Sequence, residues 1–138
     1  MPARLIRTFL DAGVLITAYN ARRDIDLQAA EVLGDRSRIF LSSPFIRHEV
    51  CPKALFNKQQ LEYRFYREYF RRATMFNDVR LILERAGREA ARSGINAMDS
   101  LHIAAAYLLG ADEFITTEKP GKSIYRTSLV KVIYLQER

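Results

Sequence analysis

Short apolar segments alternate along this 138-residue chain with longer segments of helical character. Strands separated by helices are joined by right-handed crossovers, so the pattern predicts a mostly parallel sheet with helices on both faces. We therefore predict an α/β fold, built as a single domain over residues 1–138. The predicted strands are Leu5–Leu10, Arg38–Leu41, Glu113–Thr116 and Leu129–Leu135.

Composition limits the classes of function that the chain can serve. It carries 22 Lys and Arg against 16 Asp and Glu, a net charge of +6, which favours phosphate-rich partners. No apolar run approaches the ~18 residues of a membrane span, and Arg4, Arg7 and Asp11 interrupt any signal peptide. We expect a cytoplasmic protein with no membrane contact. Cys51 is the single cysteine, and we expect a buried thiol.

Turn and capping residues predict where the first helices lie. Gly13 suits a tight turn from the first strand into a brief helix over Val14–Asn20. After a polar loop over Arg22–Asp26, Asp26 is expected to cap a second helix that ends at Leu33.

A third helix begins with Ser43 as its N-cap and Pro44 at its first position. Pro52 is expected to kink this helix or to end it near Cys51. The remaining expected elements are a helix over Lys53–Ala73, an extended segment near Ala73–Phe76, and a helix from Asn77 or Asp78 to Arg92 that Gly94 closes.

The stretch Gly94–Leu109 places an acid at the mouth of an apolar helix. Asn96 is a good N-cap, which puts Asp99 in the first turn. One interpretation is that Asp99 only caps the helix and interacts with its dipole. The other is that Asp99 is a metal ligand facing a pocket shared with other acids. The predicted buried stripe of this helix is Met98, Leu101, Ala105 and Leu108.

Three further acids, Asp11, Glu49 and Glu118, fall at strand ends or in early helical turns, which a parallel sheet gathers at one edge. Four carboxylates in one cleft repel one another unless a cation neutralises them. An all-oxygen set suits Mg²⁺ or Mn²⁺, and His48 and His102 do not form a zinc pair. We expect His102 to be a hydrogen-bonded core residue. A hard cation held by acids in a basic protein fits phosphodiester hydrolysis.

The candidate acids lie in four recognisable segments: FLDAGVLI (Phe9–Ile16), SSPFIRHEV (Ser42–Val50), AMDSLHIAAA (Ala97–Ala106) and GADEFITTEKP (Gly110–Pro120). These segments resemble the PIN-domain family, best known in VapC-like toxin ribonucleases. They occur in the family's order with near-family spacing, and the resemblance covers roughly Leu5–Leu135. It implies a three-layer α/β/α fold, endoribonuclease activity that depends on Mg²⁺ or Mn²⁺, and a role as the toxin of a type II toxin–antitoxin pair.

The resemblance also implies roles for individual residues. Asp11, Glu49 and Asp99 match the family's first three acids, with Asp11, Asp99 and Glu118 as metal ligands. Glu49 would complete the metal shell or orient the attacking water. Thr116 and Ser42 would support the site through hydrogen bonds.

The fourth acid departs from the family's pattern. The family usually has Asp in a T-x-D sequence, whereas Thr116-Thr117-Glu118 supplies a glutamate. The extra methylene moves the carboxylate by up to about 1.5 Å, which the strict octahedral shell of Mg²⁺ can register. The alternative function is therefore a catalytically weakened PIN-fold module that binds RNA or protein.

The segment after Pro52 is rich in arginine and aromatic residues. Arg64, Arg67 and Arg71 could contact phosphates while neighbouring tyrosines stack on unpaired bases of RNA. Alternatively, they form a solvated face over a core-facing aromatic row. The family resemblance adds two further uses of this region, a groove for an antitoxin segment and the interface of a homodimer.

Overall fold

The computed structural model describes residues 4–21 and 24–137. They form a five-stranded sheet in the order β3-β2-β1-β4-β5, in which every neighbouring pair is parallel. The predicted parallel sheet is therefore confirmed. The strands are β1 (Ile6–Leu10), β2 (Arg38–Ser42), β3 (Thr74–Met75), β4 (Glu113–Thr116) and β5 (Val132–Tyr134).

Helices connect the strands and cover the sheet. None of those in the described ranges has the length and apolar character that crossing a membrane requires. Two short 3₁₀ helices, Ser123–Arg126 and Leu135–Glu137, flank β5. The α-helices are α1 (Ala12–Asn20), α2 (Asp24–Gly34), α3 (Pro44–Phe56), α4 (Gln60–Arg72), α5 (Val79–Ser93) and α6 (Ala97–Leu108).

Several predicted helix ends are confirmed by the backbone contacts. The Ser43 hydroxyl accepts from the N–H of Phe45 at 3.2 Å at the start of α3. The Asn96 side chain accepts from the N–H of Asp99 at 2.9 Å at the start of α6. Gly94 ends α5 in the left-handed region at φ 74°, where glycine has no steric penalty.

The prediction for the start of α2 is wrong. Asp26 does not cap α2 but lies buried inside it, because the helix begins at Asp24. Residues 22 and 23 of the predicted loop lie outside the described residues.

Of the two effects expected of Pro52, a kink or the end of α3, the second is wrong, because α3 continues to Phe56. Proline at this position removes only one backbone bond, to the carbonyl of exposed His48, so the helix can continue.

The predicted single helix over Lys53–Ala73 is also wrong, because the chain turns between Phe56 and Gln60. Lys58 adopts a left-handed conformation at φ 55°. The N–H of Lys58 bonds the carbonyl of Leu55 at 3.1 Å, and the N–H of Gln59 bonds that of Ala54 at 2.9 Å. These two bonds form a Schellman motif, which usually contains glycine at the left-handed position. Because lysine is not typical of this position, the sequence did not indicate a turn between the two helices.

The core forms where β1 and β4 meet the helices. Phe9 and Phe114 are fully buried and stack with ring centroids 5.4 Å apart. The buried stripe predicted for α6 is wrong at Met98, which is 42% exposed. Because α6 packs against both α5 and the sheet, its buried side is broader and includes His102 and Ile103. The last strand is shorter than predicted, since only Val132–Tyr134 pairs with β4.

Opposite charges meet at the amino-terminal edge of the sheet. Arg38 donates to the Glu113 carboxylate at 2.6 Å, to the Thr8 hydroxyl at 2.9 Å and to Asp35 at 3.0 Å. The Arg38 and Glu113 side chains are only 10% and 12% exposed. This pair joins β2 to β4 across β1, so the buried charges of Arg38 and Glu113 neutralise each other at this edge of the sheet.

We expect Arg38→Met to lower the free energy of unfolding by about 3–5 kcal/mol, because it leaves Glu113 buried without its cation. Adding Glu113→Gln should recover part of the loss, since a neutral amide needs no counter-ion. The control is Arg4→Met, which breaks the ion pair of a 75% exposed Arg4 and should cost less than about 1 kcal/mol. Urea unfolding of the four proteins measures these differences, and equal losses for Arg38→Met and Arg4→Met would contradict the assignment.

Candidate active site

Asp11 lies directly after β1, at the carboxyl edge of the sheet. Its N–H donates to the carbonyl of Ile115 at 3.0 Å, which extends the pairing of β1 with β4 by one residue. One carboxylate oxygen accepts from the N–H of Ala12 at 2.8 Å, and the other accepts from the Thr116 hydroxyl at 2.8 Å. Asp11 is only 8% exposed, so these bonds hold its carboxylate in one orientation.

Thr116 connects the first acid to the fourth. Its hydroxyl donates to Asp11 and also accepts from the N–H of Glu118 at 3.0 Å, while the residue itself is fully buried. The backbone of Glu118 is therefore held next to Asp11, whereas its side chain is exposed. The predicted supporting position of Thr116 corresponds to this pair of bonds.

Gly13 allows α1 to approach the chain after β4 very closely. A Cβ atom on Gly13 would stand 2.3 Å from the Oγ1 of Thr117 and 3.5 Å from its Cβ. Gly13 does not form the predicted turn, because it lies inside α1 and adopts no left-handed conformation. The absence of a side chain here instead lets the segments that carry Asp11 and Glu118 pack together.

Asp99 lies in the first turn of α6 and is half-buried. Burial raises the pKa of its carboxyl above the ordinary value, and the neighbouring carboxylates of Asp11 and Glu118 raise it further. His102 and the Asn96 side chain act in the opposite direction. Asp99 therefore shares an electrostatic environment with two acids that are distant in sequence, whereas the cap of α6 is the Asn96 side chain.

Glu49 is connected to the helix that carries Asp99 by its contact with His102. Its carboxylate contacts the Nε2 of His102, whose side chain is 1% exposed. The prediction that His102 is a hydrogen-bonded core residue is confirmed. His102 follows Asp99 by three residues, so both lie on one side of α6. Sequence analysis missed the contact with Glu49, although the i, i+3 spacing of Asp99 and His102 pointed to a shared face.

The other predicted site residues are more dispersed. Ser42 is buried at the end of β2, and its hydroxyl has no hydrogen-bond partner among the described residues. Arg67 and Arg71 line a groove between α3 and α4, whereas Arg64 lines a second groove on the other side of α4. The three arginines predicted to act together are therefore divided between two surfaces.

The described acids at this edge of the sheet do not form a closed metal-binding cluster. Within residues 4–21 and 24–137, no three acidic, histidine or cysteine side chains are placed so that together they could hold a metal ion. The donor set itself consists of carboxylate oxygens, and Asp99 is destabilised as an anion by Asp11 and Glu118. Oxygen ligands and excess negative charge suit Mg²⁺, which keeps several waters and needs only one or two direct carboxylates.

Comparisons with known proteins bear on this geometry. No protein-family profile and no curated protein matches the sequence. VapBC2 from Rickettsia felis, bound to a DNA fragment from the promoter, matches with a TM-score of 0.70 at 15% identity, over 94% of this chain and 98% of that chain. A toxin–antitoxin complex from Klebsiella pneumoniae matches with a TM-score of 0.69 at 21% identity, over 95% and 99%. DNA-bound VapBC from Salmonella typhimurium matches with a TM-score of 0.71 at 14% identity, over 95% and 99%.

These likenesses span nearly the whole of both chains in each comparison. Because the sequence identities are 14% to 21%, these similarities show the fold alone. The resemblance that the four sequence motifs predict is thus confirmed at this level: the chain has the PIN-like α/β fold of VapC-type proteins, with a parallel five-stranded sheet flanked by helices.

We expect Gly13→Ala to lower the free energy of unfolding by about 1–2 kcal/mol, because crowding against Thr117 outweighs the gain in helix propensity. In a Thr117→Ala background the nearest atom is removed, so Gly13→Ala should stabilise the protein by up to about 1 kcal/mol. Gly87→Ala in α5 is the control, since a Cβ there meets nothing within 4 Å. Denaturant unfolding measures all four variants. A Gly13→Ala variant as stable as Gly87→Ala would refute the close approach.

We expect Asp99→Asn to raise the melting temperature at pH 7 in EDTA. The pKa of Asp99 is raised on folding, so the folded state loses stability as the pH rises from the ordinary value of 3.8 through the raised value. Asparagine removes this loss, and the two proteins should converge in melting temperature below about pH 4. Asp35→Asn should behave oppositely at pH 7, because contacts with Ser37 lower the pKa of Asp35. Thermal unfolding across pH tests the sign for both variants.

Proposed function

We propose that this protein is a metal-dependent endoribonuclease that hydrolyses RNA phosphodiesters and acts as the toxin of a type II toxin–antitoxin pair. The observation that carries the proposal is the meeting of three acids at the carboxyl edge of the sheet. The Thr116 hydroxyl bonds both the Asp11 carboxylate and the Glu118 N–H, and burial together with the charges of these two acids raises the pKa of Asp99. An unrelieved cluster of anions is costly to a folded protein, and a bound divalent cation would relieve it.

The metal would be Mg²⁺ or Mn²⁺, with Asp11, Asp99 and Glu118 as its ligands, no more than two of them bound directly and the others through water. Such an ion would polarise a phosphoryl oxygen, lower the pKa of water and offset charge on the leaving oxygen. Glu118 is the ligand that we expect to bind through water. Its side chain is exposed, and its carboxylate accepts no hydrogen bond from the described residues.

The protein's own groups would orient the acids before the substrate arrives. The Thr116 hydroxyl fixes one oxygen of Asp11, and His102 fixes one oxygen of Glu49. Glu49 remains exposed, so its second oxygen can face solvent and substrate. It would orient the attacking water and accept its proton, or complete the metal shell.

The choice of substrate and partner rests on charge and on the fold neighbours. A net charge of +6 favours a polyanionic substrate such as RNA. The neighbours from Rickettsia felis and Klebsiella pneumoniae were solved as VapBC and toxin–antitoxin complexes. By analogy, we propose a cognate antitoxin as the partner, a homodimer as the assembly and the cytoplasm as the location.

A second candidate function is a catalytically weakened module that binds RNA or protein. The observation that favours it is Glu118, which is longer than the aspartate of the family pattern. Its backbone N–H and carbonyl are hydrogen-bonded to Thr116 and Tyr125, whereas its carboxylate accepts no hydrogen bond from the described residues. Under this alternative the acids would still repel one another, but they would not hold a metal ion in the geometry that catalysis requires.

We expect Asp11→Asn and Asp99→Asn each to reduce RNA cleavage in Mg²⁺ or Mn²⁺ by at least about 100-fold, because each removes a charged ligand. Glu84→Gln is the matched control, an exposed carboxylate on α5 whose ion pair within the described part of the chain is with Arg80. The assay uses purified protein free of any antitoxin, labelled RNA, and EDTA as the metal-free blank. Cleavage retained in either site variant would refute the assignment.

The same assay separates the two candidate functions. The binding-module alternative predicts salt-sensitive RNA binding without cleavage at any Mg²⁺ or Mn²⁺ concentration. It also predicts that Glu118→Asp gains cleavage, because the shorter side chain restores the ligand position of the family pattern.

A further inference from the structure

A groove between α3 and α4, which we call the α3–α4 groove, lies outside the acidic cluster. Its volume is about 480 Å³, and both helices contribute to its walls. None of the residues that line it is acidic. Its charged and aromatic lining consists of Arg47, His48, Arg67, Arg71, Tyr63 and Phe70.

The arginines of the groove are oriented by aromatic rings. The Arg47 guanidinium lies 5.6 Å from the ring centroid of Phe70, and that of Arg67 lies 6.0 Å from that of Tyr63. Stacking holds a guanidinium by its face and leaves its N–H edge available for phosphate. Within the described residues, neither Arg47 nor Arg67 forms an ion pair. Arg71 lies 3.4 Å from Glu68, an exposed pair that contributes little.

The groove begins at the carboxyl edge of the sheet. Pro44, one of its lining residues, is the first residue of α3 and follows β2 by two positions. From Pro44 the groove extends along α3 as far as Leu55, about 16 Å at the rise of an α-helix. At the ~3.4 Å spacing of a stacked strand, this length corresponds to about five nucleotides. Glu49 lies on the same helix, on a different side from Arg47 and Cys51.

We propose that the α3–α4 groove binds the single-stranded RNA that flanks the bond to be cleaved. Arg47, Arg67 and Arg71 would contact consecutive phosphates, and the aromatic walls would contact a base. An acidic peptide would also complement these cations. RNA is favoured because Pro44 places one end of the groove at the carboxyl edge of the sheet, the edge at which Asp11 and Glu118 follow their strands. The inference rests on the proposed ribonuclease function.

The first test measures RNA binding in the full-length Asp99→Asn background, which keeps the RNA intact. The probe is a fluorescein-labelled single-stranded RNA of about 12 random nucleotides, followed by anisotropy across a range of salt concentrations. We expect Arg47→Gln, Arg67→Gln and Arg71→Gln each to weaken binding about 3- to 10-fold. Each should also reduce the slope of log K against log salt by about 0.7. Arg88→Gln, an exposed arginine on α5 with the same change of charge, is the control and should change neither quantity appreciably.

The second test compares long and short substrates in otherwise unaltered protein. Arg67→Gln should lower kcat/KM for the 12-nucleotide RNA, mainly through KM, and leave the value for a trinucleotide unchanged, because the short RNA does not reach the groove. Equal effects on both substrates, or effects no larger than those of Arg88→Gln, would overturn the proposal. The proposal would also be overturned if the arginine variants bound RNA normally but no longer bound an acidic peptide. If the unaltered protein cleaves no RNA, the ribonuclease function fails, and the anisotropy result still decides whether the groove binds RNA.

Discussion

The parallel pairing of β1 with β4 is the contact on which the candidate site depends. It continues one residue beyond the strand, through the bond from the Asp11 N–H to the Ile115 carbonyl. That register places the Thr116 hydroxyl against Asp11 and, through the same oxygen, fixes the backbone of Glu118. Close packing at Gly13 supports this geometry, because a Cβ atom there would stand 2.3 Å from the Oγ1 of Thr117 and force it to move. Two acids separated by more than a hundred residues are thereby held together by backbone geometry.

The two edges of the sheet differ in how their charges are balanced. At the amino-terminal edge, Glu113 is buried against Arg38, so each charge has its counter-ion within the fold. At the carboxyl edge, burial and the charges of Asp11 and Glu118 raise the pKa of Asp99, and His102 acts in the opposite direction. The first arrangement stabilises the sheet. The second lowers stability, and groups that are destabilised in this way are typical of sites that bind a ligand or an ion.

The helices α3 and α4 show where reading the sequence was insufficient. Arginine and aromatic residues follow one another in a helical pattern, which predicted one helix and one row of arginines. The turn at Lys58 folds α4 back beside α3, so that Arg67 and Arg71 face Arg47 while Arg64 faces α2. A left-handed lysine is rare, and its conformation is decided by the packing of the two helices rather than by local preference.

The sequence by itself determined the α/β class, the order of strands and helices, the caps at Ser43 and Asn96, and the candidacy of the acids, because periodicity, capping and strand-end positions are local properties. Only the tertiary structure decided which side chains meet. The contact of His102 with Glu49, the approach of Gly13 to Thr117, and the groove between α3 and α4 join residues that are distant in the chain. Such contacts depend on how whole elements pack, and packing is a property of the assembled core.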